Sequence, residues 1–182
     1  MDEPPTSPGD PFIAQTRHGA VIGRESGSVR VFKGIPYAAP PTGSLRFCPP
    51  QQPQSWDSPR DATGFGAAPM QIDTPALGPI GAVSEDCLTL NVWAPAGPGP
   101  HPVMVWIYGG ANTYGASSET TYDGTYFAQA GIVVVTVNYR LGVFGFLELG
   151  SVLPSFAGSS LNGLRDLVAA LDGDRCLLLL DT

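Results

Sequence analysis

The chain has 182 residues, 43% of them apolar and 14% charged, a balance that fits one folded domain with its own core and excludes an acidic disordered tail. Lys and Arg number 9 against 16 Asp and Glu, a formal net charge of −7, which argues against a nucleic-acid surface because such a surface needs cations to neutralise phosphates. No apolar run approaches the roughly 18–20 residues of a membrane span. Cys48, Cys87 and Cys176 are too few and too scattered for a disulfide framework or a zinc cluster.

Residues 1–11 are acidic and Pro-rich and read as a disordered leader. They lack the basic and apolar stretches of a secretory signal, so a cytoplasmic setting is expected. Ile13 to Arg17, Ala20 to Arg24 and Ser28 to Phe32 are short β-prone pieces joined by Gly-containing turns, which predicts an antiparallel meander. Pro recurs from Pro36 to Pro79, and so long an irregular stretch suggests a functional or wrapping loop. Leu88 to Trp93 reads as a strand. Val103 to Tyr108 and Ile132 to Val137 are continuous apolar runs, which predicts strands buried on both faces of a mainly parallel sheet. Asp123 to Ala130 reads as a short helix stopped by Gly131. Asn162 to Leu171 reads as a longer one, with Ser160 or Asn162 as N-cap and Leu164, Leu167, Val168 and Leu171 on a core-facing stripe. These elements predict an α/β fold.

The informative motif is the Gly-Gly turn directly after a buried strand, Trp106-Ile-Tyr-Gly-Gly-Ala-Asn-Thr-Tyr-Gly115. Two readings stand side by side. One is a tight strand-ending turn. The other is a loop whose backbone N–H groups face a ligand, the usual way to stabilise an oxyanion in acyl transfer. A phosphate loop is excluded, because Ala116 stands where its Lys is needed.

Six ordered blocks carry a family resemblance: Phe32 to Ala38, Arg46-Phe47 with Pro49-Pro50, Ser84 to Pro95, Val103 to Gly110, Val135 to Leu147, and Asn162-Gly-Leu-Arg-Asp166. Together they resemble the N-terminal part of the type-B carboxylesterases, the cholinesterase-like branch of the α/β-hydrolases. The resemblance covers roughly residues 12 to 171. It implies an incomplete α/β-hydrolase fold, in which an antiparallel meander leads into a mixed, mainly parallel sheet with flanking helices. Residues 172–182 then read as a divergent tail.

By resemblance, Gly110 and Ala111 are oxyanion-hole donors and Gly109 shapes the turn. The resemblance also implies two structural ion pairs, Arg46 with Glu85 and Arg140 with Asp166, and a small carboxylic ester as substrate, with no metal or organic cofactor. Cys87 matches a half-cystine of secreted members whose partner would lie near Met70, where no Cys stands, so a reduced buried thiol is expected. Trp106 is expected in the core, and Tyr108 in either the core or a pocket wall.

The nucleophile of that family sits in a G-x-S-x-G elbow, and none occurs in these 182 residues. Gly115-Ala-Ser-Ser-Glu119 comes nearest, with Glu119 in place of the second Gly. His18 and His101 both read as solvated turn residues. The expectation is therefore a carboxylesterase fragment that keeps the oxyanion loop, lacks Ser, acid and His, and is inactive alone. Ile132 to Val137 would lose a neighbouring strand and leave an apolar sheet edge open, which predicts poor solubility. Two other readings remain: a non-catalytic binding module of the same fold, and a subunit completed in trans by a second chain bearing the missing C-terminal portion.

Overall fold

The computed structural model describes residues 9–72 and 80–172. Three strands open the chain, β1 (Asp10–Thr16), β2 (Gly19–Ser26) and β3 (Val29–Pro36), joined by two-residue turns. Turns that short can only reverse the chain, so β1–β2 and β2–β3 pair antiparallel, as the meander requires. Asp10 and Pro11 lie in β1 rather than in a leader. Residues 1–8 of that leader lie outside the described residues, as do residues 173–182 of the tail, with Cys176 and the leucine run Leu177 to Leu180.

The Pro-rich stretch wraps the meander. The Trp56 backbone N–H donates to the His18 carbonyl at 2.8 Å, and its indole N–H donates to the Ala20 carbonyl at 2.7 Å. The short strand β4 (Arg60–Asp61) then pairs parallel with β2. Two more short strands, β5 (Ala68–Pro69) and β6 (Val83–Ser84), form a separate pair.

The core is built around β7 (Thr89–Pro95), which is buried from Leu90 to Pro95. It lies between β3 and β9 (Val133–Val137), antiparallel to both. β8 (Val103–Trp106) joins β9 in parallel, and the connection between them carries α1 (Thr125–Gln129). The strand order is β1-β2-β3-β7-β9-β8. Leu90, Val92 and Ala94 face one core cluster, with Phe32, Tyr37, Val137, Ala169 and Ala170. Trp93 faces the other, with Val29, Val134 and Ala128 of α1. Helices therefore cover both faces of the sheet. Among the described residues no helix is long and apolar enough to cross a membrane.

Three expectations are corrected. The sheet is mixed, but antiparallel pairing predominates among the described strands, because the opening meander gives two antiparallel pairs, β7 runs antiparallel to both its neighbours, and only the β8–α1–β9 crossover gives a parallel pair of long register. β8 is not buried on both faces. It is the last described strand of the order, and Val103 is 63% exposed, so the open apolar edge is β8, while Val133 to Val137, expected at that edge, is paired on both sides. Helix α3 (Asn162–Leu171) has the expected bounds, but of the expected core-facing stripe Leu167 alone packs on the core. Gly163, Asp166, Ala169 and Ala170 face inward beside it, while Leu164, Val168 and Leu171 face solvent, Val168 at 68% exposure. Small residues let α3 approach α2 (Gly142–Phe146) closely: a Cβ on Gly163 would collide with the Arg140 carbonyl and the Phe146 ring. The N-cap of α3 is Leu161, in a left-handed conformation with φ 56° and no side-chain cap bond. Asn162 instead uses its amide to donate to the Phe47 and Ser159 carbonyls, at 2.8 and 2.9 Å.

Candidate functional site: the glycine loop beyond β8

The segment Gly109–Gly115 leaves the end of β8 over a rigid base. Tyr108, 2% exposed, stacks on Tyr139 with ring centroids 4.8 Å apart. Each hydroxyl donates to the other residue's carbonyl, Tyr108 to Tyr139 at 3.4 Å and Tyr139 to Tyr108 at 3.3 Å. Burial pushes both phenols above their ordinary pKa, Tyr108 well above it. Tyr108 is thus a core residue that carries the loop.

The loop turns through three successive positive φ values: Gly110 at 120°, Ala111 at 53° and Asn112 at 61°. Gly110 and Gly115 must be glycine on two counts, because both have positive φ and lack room. A Cβ on Gly110 would strike the Tyr114 carbonyl, and one on Gly115 would strike the Tyr108 ring. The Gly110 carbonyl turns inward and accepts from Thr113 N at 2.9 Å, Tyr114 N at 3.3 Å and Thr113 Oγ1 at 3.0 Å. The strain sits at 110–112. Gly109, expected to shape the turn, borders open space instead. The backbone N–H groups of Gly109, Gly110, Ala111 and Asn112 donate to no acceptor among the described residues.

Two hydrogen-bonded anchors lead outward from the loop. Gly142 N donates to the Asn112 carbonyl at 2.7 Å. The Gln71 side chain meets the Gly115 peptide on both sides: its Nε2 donates to the Gly115 carbonyl and its Oε1 accepts from the Gly115 N–H, each at 2.8 Å. Beyond the loop, Ser117 N donates to Asn138 Oδ1 at 2.8 Å. Asn91 Nδ2 donates to Ser117 Oγ at 3.0 Å and Thr136 Oγ1 at 2.9 Å. Ser117, the nearest sequence match to a nucleophile, is 2% exposed and spent in this network.

The ion-pair residues lie away from the loop. Arg46 forks onto Glu85, with Nε–Oε2 at 2.6 Å and Nη2–Oε1 at 2.5 Å, at a partly exposed position. Arg140 forks onto Asp166 at 2.8 and 2.7 Å, with side chains 3% and 0% exposed, and its Nη1 also donates to the Cys48 carbonyl at 2.8 Å. Burial raises the Asp166 carboxyl above its ordinary pKa, and the bonds from Arg140 only partly offset this. A small cleft between the two pairs is lined by Arg46, Glu85, Met70, Cys87, Arg140 and Phe144, among others. Cys87 is a free, buried thiol pushed up to about 12, chiefly by burial and then by the Asp166 charge.

Two aromatic or basic residues are not where the sequence puts them. Trp106 is 43% exposed, because β8 has no described neighbour on its outer side, and its indole leans on Tyr122 at 5.4 Å. His18 is 9% exposed rather than solvated, because the wrapping loop lays Trp56 against it, and its Nε2 finds no partner among the described residues. His101 stays in the turn before β8, its Nε2 3.3 Å from the Gly97 carbonyl, at the opposite end of the strand from the glycine loop. Among the described residues no three His, Cys, Asp or Glu side chains converge as a metal site. Sequence reasoning missed Gln71 and the buried Asn91–Ser117–Thr136–Asn138 network. The available signals were Asn91 and Thr136, polar residues inside otherwise mainly apolar strands.

Comparison with known proteins gives a consistent result. The model of the carboxylesterase family matches residues 10–172. A para-nitrobenzyl esterase of Bacillus subtilis is 46% identical over 164 residues, 87% of this chain and 33% of that protein. A fumonisin B1 esterase of Sphingopyxis macrogoltabida is 44% identical, over 88% of this chain and 29% of its own length. Among solved structures, a PNB esterase superposes with a TM-score of 0.82 at 45% identity, covering 88% of this chain and 34% of that one. A carboxylesterase of Geobacillus stearothermophilus superposes with a TM-score of 0.80 at 47% identity, covering 88% and 33%. The chain spans about a third of the length of these relatives.

Proposed function

Because this chain belongs to the carboxylesterase family, we propose that it supplies the oxyanion loop of a serine-type carboxylic-ester hydrolase acting on small-molecule esters. The observation that carries the reading is the run of N–H groups from Gly109 to Asn112 that meet no acceptor among the described residues, at and just before the positive-φ turn of Gly110, Ala111 and Asn112. When a serine attacks an ester carbonyl, the oxygen becomes an anion. Donors already aimed at it stabilise the transition state without reorganising at the moment of reaction. Gly110 and Ala111 provide two such donors. The nucleophile, its acid and its histidine come from outside these residues, so the chain alone does not turn over. The reading is cytoplasmic, where the free thiol of Cys87 stays reduced.

Completion by a C-terminal portion, in the same polypeptide or in trans, fits the apolar surface left open on β8 and on the outer face of α3. The test joins this chain to the C-terminal two-thirds of the Bacillus subtilis esterase and follows hydrolysis of para-nitrobenzyl acetate. The joined protein is expected to hydrolyse the ester and this chain alone is not. Replacing the Ala111 peptide N–H by an ester oxygen in the joined protein removes one donor while leaving the left-handed φ of Ala111 accessible, and is expected to lower kcat by about 10²–10³. An unchanged kcat in that variant sinks the oxyanion reading. A folded joined protein without hydrolysis favours the binding-module reading instead.

A further inference from the structure

We infer that Gln71 is a positioning residue for the oxyanion loop, a carboxamide clamp that fixes the C-terminal end of the turn and so the direction of the free N–H groups. The inference rests on the oxyanion reading and extends it to a residue that no motif marks.

A carboxamide carries a donor and an acceptor side by side, as a backbone peptide does. Gln71 presents both to the Gly115 peptide at 2.8 Å, so it stands in for a neighbouring strand. Its remaining Nε2 hydrogen donates to the Pro69 carbonyl at 3.0 Å, which fixes the amide's rotation. Pro69 belongs to β5, paired with β6, so the clamp is tied to a hydrogen-bonded element. The loop's other end is set by the Tyr108–Tyr139 stack. Between these ends the chain passes through three positive φ values in succession, a conformation that glycine and Asn112 accept readily but Ala111 adopts only under constraint. Gly115 has no side chain of its own to pack, and a Cβ there would enter the Tyr108 ring. The place where the loop must be glycine therefore borrows its tether from elsewhere. The second outward anchor, Gly142 N to the Asn112 carbonyl, is purely backbone. Gln71 is the side chain through which the loop's geometry is set.

Two measurements test this. In the 182-residue chain, residue-resolved amide exchange compares wild type with Gln71→Ala. The informative amides are Thr113 and Tyr114, which bond to the Gly110 carbonyl and not to Gln71. Their exchange is expected to speed up about tenfold or more while the amides of β7 and β9 keep their rates. Unchanged protection at Thr113 and Tyr114 overturns the inference. In the joined esterase, Gln71→Ala is expected to lower kcat for para-nitrobenzyl acetate about tenfold or more with KM within about twofold, since misplaced donors weaken the transition state more than the bound ester. Gln71→Glu keeps the acceptor for Gly115 N–H and loses the donor, and is expected to fall between the two. A Gln71→Ala variant with full kcat, beside an Ala111 ester-backbone variant that has lost it, overturns the clamp and leaves the oxyanion reading standing. Full kcat in both variants overturns both.

Discussion

A buried thiol titrates against the fold. Cys87 is held near 12 in the native chain against 9.0 for a free thiol. The unfolded chain therefore gives up this proton first. The stabilisation is fully present below pH 9 and is lost as pH rises toward 12, on the order of 4 kcal/mol in total. Tyr37 and Tyr108, also raised by burial, act in the same direction above pH 10. The urea midpoint is expected to fall with pH above 9 more steeply in the wild type than in Cys87→Ala, and equal slopes would count against it. His18 works at the acid end. Burial, and then Arg17, lowers its pKa. Its contribution is present above the ordinary histidine pKa and is lost as pH falls, and His18→Gln is expected to flatten that acid limb. The two ion pairs separate in the same way by depth. Asp166→Asn leaves Arg140 charged in the core and is expected to cost about 3–5 kcal/mol in urea unfolding. Arg46→Ala at the exposed fork is expected to leave the midpoint nearly unchanged.

At the scale of the element, α3 shows what a periodic pattern can and cannot tell. Its bounds were legible, because ten residues of helix-compatible sequence end before an acidic, Gly-containing tail. Its facing was not. Apolar residues at helical spacing mark a stripe but not what the stripe meets, and here the alanines, the glycine and Leu167 meet the core while Leu164, Val168 and Leu171 meet solvent. β8 erred the same way: a run of apolar residues predicts burial on both faces, yet burial depends on a neighbour the run does not contain. The energetic consequence is specific. Val168→Lys on α3 is expected to leave the unfolding midpoint within about 0.5 kcal/mol of wild type. Ala169→Leu on the opposite side, 3% exposed, is expected to cost about 1–3 kcal/mol by overpacking. If Val168→Lys proves the costlier change, the facing of α3 is misassigned.

For the whole molecule, the open surfaces add up. Val103, Val105, Trp106 and Ile107 follow one another with no charge, on the strand that ends the sheet order. Edges of this kind pair with whatever strand arrives. The isolated chain is expected to scatter light increasingly with concentration, and Val105→Lys to suppress this without shifting the thermal midpoint. The meander, the strand positions and the glycine turn were readable from local signals, and the partners of Arg46 and Arg140 from block order, whereas the antiparallel direction of β7 and the open side of β8 were not. The clamp was not, since a glutamine in a Pro-rich loop carries no periodicity, and its partner lies 44 positions away.

The three tryptophans sit at three depths: Trp93 in the core at 1% exposure, Trp56 half-buried under its strap, and Trp106 at the open edge at 43%. Indole emission moves to shorter wavelength as water leaves the ring. Covering β8 dries Trp106 alone, since Trp93 is already dry and Trp56 lies on the meander. Occupation of the edge, by a completing segment or by a second copy, thus registers as a blue shift that a Trp106→Phe chain does not give. The strand that makes the chain prone to association carries its own optical gauge of it.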